Sequence, residues 1–157
     1  MKTALITGGA ARIGAQIVKT LHQNQFNIII HCNQSKDKAQ LLCDELNSIR
    51  ANSVDIIFGN LNNIDELDSL VSSIKSIHLL VNNASVFYPK SVEDSEMKDW
   101  DDVININLKA PFFLSKGLSK TLSKNDGSII NIIDIHSERP LKKHAIYNIS
   151  KAGLKML

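Results

Sequence analysis

Tyr147 and Lys151 stand four residues apart near the end of the chain, in the run Tyr-Asn-Ile-Ser-Lys. Residues at i and i+4 share one face of a helix, so the ammonium can approach the phenol and draw its pKa down from about 10 toward a value useful for proton transfer. Near the other end, Thr7-Gly8-Gly9-Ala10-Ala11-Arg12-Ile13-Gly14 follows an apolar, strand-like run and opens a helical pattern. In that context glycines let the backbone approach a pyrophosphate, and the helix N-terminus offers unpaired N–H groups and partial positive charge. A third segment, Val81-Asn82-Asn83-Ala84-Ser85, is small and amide-rich, as backbone passing beside a cofactor needs to be. Together the three point to proton transfer beside a bound dinucleotide.

Arg12 takes a place where such a loop often has another glycine. A guanidinium at the mouth of the loop can pair with the 2′-phosphate of NADP. The end of the second strand-like run, Asn33-Gln34-Ser35, offers no carboxylate to hold a free 2′-hydroxyl and repel a phosphate. NADP(H) is therefore expected over NAD(H), with Ser35 and Lys36 as further candidates for the phosphate.

These residues need a scaffold, and the hydropathy pattern supplies one. Apolar runs at 3–7, 27–31, 54–58, 77–81 and 128–133 read as strands. Helical patterns cover 13–24, 36–50, 63–74 and a long stretch of about 94–123, within which Pro111 should kink or interrupt the helix. The repeated strand–helix alternation predicts a single α/β domain over 1–157, a Rossmann-type doubly wound parallel sheet with helices on both faces. The last helical pattern begins near His144, carries Tyr147 and Lys151, and is still in progress at Leu157, so this helix reads as cut.

Composition narrows the class. The 157 residues are 43% hydrophobic and 22% charged, enough for one ordinary core, and the net charge of +2 is too small to argue for nucleic acid or a membrane surface as partner. The short run before Gly8-Gly9 cannot form a signal-peptide core. Two cysteines, Cys32 and Cys43, make neither a disulfide framework nor a metal spacing, so a cytoplasmic protein without a metal is expected.

On these motifs the chain resembles the short-chain dehydrogenase/reductase family, from Lys2 to Leu157. The resemblance implies that Tyr147 is the catalytic acid, that Lys151 binds the nicotinamide ribose and tunes the phenol, and that Asn107 supports a proton-relay water. It places Gly8, Ile13, Gly14, Asn33, Ser35, Asn83 and Ala84 along the cofactor, with Asn60 and Leu61 at the adenine. Asp134 stands thirteen residues before Tyr147, where most of the family has a catalytic serine. Asp134, Arg12 and Asn82-Asn83-Ala84-Ser85-Val86-Phe87-Tyr88-Pro89 together resemble the pteridine reductase branch, including its dihydromonapterin/dihydrofolate reductase type. That branch implies Phe87 stacked on a pterin, and Ser85 hydrogen-bonded to substrate and cofactor.

The implied reaction is NADPH-dependent reduction of a dihydropterin or dihydrofolate C=N bond. Asp134, with its pKa raised by burial, would then be a second proton donor or would orient the phenol. The resemblance also implies a homo-oligomer, tetramer or dimer, and further strands after the tyrosine helix, hence a sheet here lacking its last strands. Two alternatives stand beside this reading. One is a short-chain carbonyl reductase, for example of oxoacyl thioesters, for which a serine at position 134 is expected; the other is a non-catalytic nucleotide-binding fragment.

Overall fold

A computed structural model describes residues 1–157. Its order is β1 (Thr3–Ile6), α1 (Arg12–Gln23), β2 (Asn27–Cys32), α2 (Lys36–Ile49), β3 (Val54–Phe58), α3 (Ile64–Ser73), β4 (Leu79–Asn82), α4 (Met97–Ile104), α5 (Ala110–Lys124), β5 (Ser128–Asn131) and α6 (Ala145–Met156). The strands form one sheet of order β3-β2-β1-β4-β5, parallel throughout.

Alternation along the central strands explains the two layers. Ala4, Ile6, Leu79 and Val81 join one buried cluster with Val18 of α1 and Leu42 and Leu46 of α2. Leu5 and Leu80, one residue out of phase, join the other with Leu67 and Leu70 of α3 and Leu114 and Leu118 of α5. Successive side chains of a strand point to opposite faces, so each strand serves both layers. Ile6 pairs with Ile30 on one side and Val81 on the other. This register brings the C-terminal ends of β1, β2 and β4 to one edge, at the point where the strand order reverses and where ligands bind in open α/β sheets.

The expectation of a sheet lacking its last strands is corrected. β1 has two strands on each side, every strand is paired, and helices pack on both faces. β5 is the edge strand beyond β4, with Ile129 and Ile130 exposed. No helix is long and apolar enough to cross a membrane.

Two local features differ from the sequence pattern in an instructive way. The long helical stretch starts at Met97, because Glu96 and Asp99 form a capping box there. It is then interrupted by a π-turn at Asn105–Lys109, immediately before Pro111 in the first turn of α5. Proline lacks the N–H that an uninterrupted α-helix would use, and the π-turn accommodates that gap. By contrast, α3 is capped as its sequence suggests, with Asn63 Oδ1 accepting from the N–H groups of Asp65 and Glu66 at 2.9 and 3.3 Å.

The α5 layer should be sensitive to truncation. Leu114 is 0% exposed, so Leu114→Ala should lower unfolding free energy in urea by about 2–5 kcal/mol. Leu41→Ala, at a residue 71% exposed, should stay within about 0.5 kcal/mol of the parent. Equal midpoints for the two variants would contradict this placement of the core.

Candidate active site

The turn between β1 and α1 is folded tightly against the end of β4. Gly8 has φ +62, a conformation that side-chain-bearing residues rarely adopt, and a Cβ on Gly14 would lie 2.2 Å from Gly8 O and 2.7 Å from Asn83 Nδ2, so that position has no room for one. Thr7 Oγ1 accepts from the N–H groups of Asn83 and Ala84 at 2.9 and 3.0 Å. Asn83 Nδ2 donates to Thr7 O and Gly8 O at 2.9 and 3.2 Å. No side chain caps the N-terminus of α1, and no acidic residue lies in its first turn. Its unpaired N–H groups are thus left for an anion, which is what a dinucleotide pyrophosphate requires. Arg12 opens α1 at φ 51, a left-handed conformation that costs a non-glycine residue roughly 1–2 kcal/mol.

A cleft of about 480 Å³ opens above this turn. Gly8, Arg12, Ile13, Gly14, Asn33, Ser35, Asn60, Leu61, Asn83, Ala84 and Ser85, all anticipated along the cofactor from sequence, line it. Ala11, His31, Lys38, Val86 and Ile106 stand on the same walls without having been anticipated. Lys36, anticipated at the phosphate, instead holds its ammonium 5.2 Å from the centre of the Phe58 ring, and Lys38 faces the cleft. Asn60 Oδ1 accepts from Asn62 N–H at 3.0 Å, which holds the segment after β3 in a local turn.

The chemistry-bearing residues lie on and before α6. Tyr147 Oη donates to Asp134 Oδ2 at 2.8 Å, and Asp134 Oδ1 accepts from His136 N–H at 2.9 Å. Lys151, one turn beyond Tyr147, is buried and donates to Ile132 O at 2.9 Å, with Nζ 5.8 Å from the centre of the Tyr147 ring. This arrangement reverses the anticipated pKa shifts. Burial, and then the hydrogen bond to Asp134 and its charge, push the Tyr147 phenol up. The His136 N–H, with lesser help from the phenol and nearby positive charge, holds the Asp134 carboxyl below its usual range against the opposing effect of burial. Burial lowers the Lys151 pKa. The site rests as neutral phenol on ionised carboxylate.

Asn107 sits in the π-turn, fully buried. Its Oδ1 accepts from Val86 N–H at 2.8 Å, and its Nδ2 donates to Val86 O at 3.0 Å and Ser150 Oγ at 3.2 Å. Ser150 Oγ in turn donates to Tyr147 O at 2.7 Å. The side chain thus braces the segment after β4 against α6. On that segment Ser85 faces the cleft, and Phe87, 56% exposed, meets Tyr147 edge-on with centroids 4.7 Å apart. The Phe87 ring is stacked on His144 at 4.6 Å, so one of its two faces is already covered.

The phenol shifts are directly measurable. Tyr147 and Tyr88 are the only tyrosines, and burial followed by the charge of Asp102 pushes Tyr88 up to about 12. Tyrosinate absorbance of the native protein should therefore show no transition near pH 10, where free phenols titrate. Because both folded values lie above the unfolded one, the stability they confer is complete below about pH 10 and is lost as pH rises through the folded values. Asp134→Ser should bring one of the two transitions down, and a native transition at about pH 10 would contradict the Tyr147–Asp134 pairing.

A family model for short chain dehydrogenases matches residues 2–157. The chain is 37% identical over 154 residues to a 3-oxoacyl-[acyl-carrier-protein] reductase FabG of Rickettsia typhi, covering 98% of this chain and 62% of that protein. It is 32% identical over 160 residues to the Staphylococcus aureus protein of the same name, covering 98% and 64%. A 2-dehydro-3-deoxy-D-gluconate 5-dehydrogenase of Formosa agariphila is 31% identical over 161 residues, covering 99% and 61%. The chain thus spans a little under two thirds of the length of these relatives.

These findings overturn the pteridine reductase branch, and with it the pterin or folate partner and a place in folate metabolism. Similarity along nearly the whole chain runs to oxoacyl reductases, whereas the branch resemblance rested on Arg12, Asp134 and one short segment around Phe87. The family match extends over every strand and helix described above. By that match the chain belongs to the short-chain dehydrogenase family.

Proposed function

We propose that this chain carries the cofactor-binding and proton-donating machinery of an NADPH-dependent carbonyl reductase whose substrate is a 3-oxoacyl thioester on acyl carrier protein. The observation that carries the reading is the Tyr147–Asp134 hydrogen bond of 2.8 Å beside Lys151, joined through the Ser85–Phe87 segment to the glycine-turn cleft. The substrate class is supported by the names of the relatives. The glycine turn fits a nicotinamide dinucleotide, because it leaves backbone N–H groups and no Cβ where a pyrophosphate approaches. When bound, the reduced nicotinamide supplies the hydride.

The protein's own residues supply the rest. Tyr147 gives its phenolic proton to the carbonyl oxygen as charge develops there, which requires the substrate oxygen to take the place of Asp134 as acceptor. Asp134 fixes the direction of the phenol until then. The Lys151 ammonium, anchored on Ile132 O, offsets negative charge at the phenol oxygen. Arg12 and Lys38 supply positive charge at the cleft for a 2′-phosphate, and Asn33, Gln34 and Ser35 present no competing carboxylate.

Two experiments test this reading. With NADPH and an acetoacetyl thioester, Tyr147→Phe should lower kcat by about 10²–10⁴-fold while NADPH affinity, from titration calorimetry, changes little. Retention of most of the turnover would remove Tyr147 as the acid. Arg12→Gly should leave the melting temperature unchanged or raised, because it relieves the strained backbone, yet weaken NADPH binding by about tenfold with little effect on NADH. Equal losses for the two cofactors would exclude Arg12 from the 2′-phosphate site.

A further inference from the structure

His31 has no place in the mechanism above, yet it is only 2% exposed and lines the cleft. It sits near the end of β2 between two loops. Its Nδ1 lies 3.4 Å from Gly8 N, and its Nε2 lies 3.0 Å from Gly59 O. An amide N–H can only donate and a carbonyl can only accept, so these partners fix a neutral imidazole with its proton on Nε2. The backbone repeats the link: Gly9 N–H donates to His31 O at 3.0 Å, and Gly59 N–H donates to Cys32 O at 3.2 Å.

One wall of the cleft is the glycine turn, and the other is the segment that follows Gly59, at Asn60 and Leu61. Only the His31 ring is bonded by its side chain to both. Charged groups nearby come from each neighbouring element: Arg12 of α1 and Lys38 of α2 share the cleft, Asp102 of α4 lies at its adjoining mouth, and Glu66 of α3 binds Asn60 N–H at 2.7 Å. None of them hydrogen-bonds the imidazole, and burial lowers its pKa against the smaller opposing effect of the Gly59 carbonyl. The neutral form demanded by the two partners is thus also the form that the surroundings favour.

We propose that His31 is a positioning residue of the dinucleotide site: as the Nε2–H tautomer it ties the phosphate-binding turn at Gly8 to the adenine-side loop at Gly59 and so sets the width of the cleft. This role rests on the cofactor-binding reading given above. It makes the ring act through backbone groups, and a side chain of similar size without a nitrogen in the Nδ1 place leaves the Gly8 amide without an acceptor.

The test has a cofactor-free part and a binding part. In ¹⁵N-labelled wild-type protein without cofactor, His31 Nδ1 should resonate as an unprotonated ring nitrogen and show a through-hydrogen-bond coupling to the Gly8 amide; an Nδ1–H tautomer or an imidazolium at neutral pH overturns the proposal. In titration calorimetry, His31→Leu should lose at least about tenfold in NADPH affinity. His31→Asn, whose Oδ1 can stand in for Nδ1, should recover most of that loss. Wild-type affinity in His31→Leu overturns the positioning role. Should His31→Leu fail to fold, an affinity of His31→Asn more than about tenfold below wild type overturns it instead. Failure of the wild-type chain itself to bind NADPH is a different result, which removes the cofactor reading and this role with it.

Discussion

The site depends on one close contact, the packing of the β1–α1 turn onto the end of β4. Gly8 O and Asn83 Nδ2 fill the volume that a Gly14 Cβ would need, so the turn can close only without that atom. Closing it buries polar backbone groups, and Thr7 Oγ1 with the Asn83 amide satisfies them. A residue at position 7 without the hydroxyl would leave two N–H groups short of an acceptor, at about 1–3 kcal/mol each. The result of this arrangement is directional: the free N-terminal end of α1 faces the cleft.

The second half of the site follows from the first. The Thr7–Asn83 clasp fixes where β4 ends, and the next residues, Ser85 to Phe87, leave the sheet toward α6. Asn107 holds them there, and it reaches Val86 from a π-turn placed before Pro111. The same amide bonds Ser150, which bonds the carbonyl of Tyr147. A buried polar chain of this kind is stable only when each member is satisfied, which makes it rigid. The glycine turn and the Tyr147 phenol are therefore positioned by one connected network rather than by two independent scaffolds.

Much of this was legible in the residues. Period-two alternation at Ala4-Leu5-Ile6 and Leu79-Leu80-Val81 marks strands buried on both faces, and the glycine spacing marks the turn between a strand and a helix. What escaped depends on tertiary placement. Positions 36 and 38 differ by about 200° around a helix, so deciding which lysine meets the cleft requires the rotation of α2 against the sheet, set by Ala39 and Leu42. The π-turn leaves no mark on hydropathy. His31 read as one more strand residue, because its partners Gly8 and Gly59 lie 23 and 28 positions away along the chain. The pKa directions depended on where the loop from β5 sets Asp134, which is between Tyr147 and the His136 amide rather than in an apolar pocket.

For the proposed carbonyl reduction, that last placement defines the chemical problem of this site. A carbonyl oxygen gaining negative charge within about 4 Å of an ionised carboxylate is opposed by about 4 kcal/mol at an effective dielectric constant of 20. The Lys151 ammonium supplies an opposing charge of similar size, so Asp134 and Lys151 together leave the neighbourhood of the phenol close to neutral. In such a field neither a free oxyanion nor a free phenolate is well stabilised, and burial has already raised the cost of the phenolate. The lowest-energy course is for the proton to move as the oxygen charges, so that no full negative charge develops beside Asp134. A serine at position 134 would remove the repulsion but also the strong acceptor that aligns the phenol. The aspartate trades electrostatic stabilisation of an oxyanion for a donor already aimed and held in its protonated state.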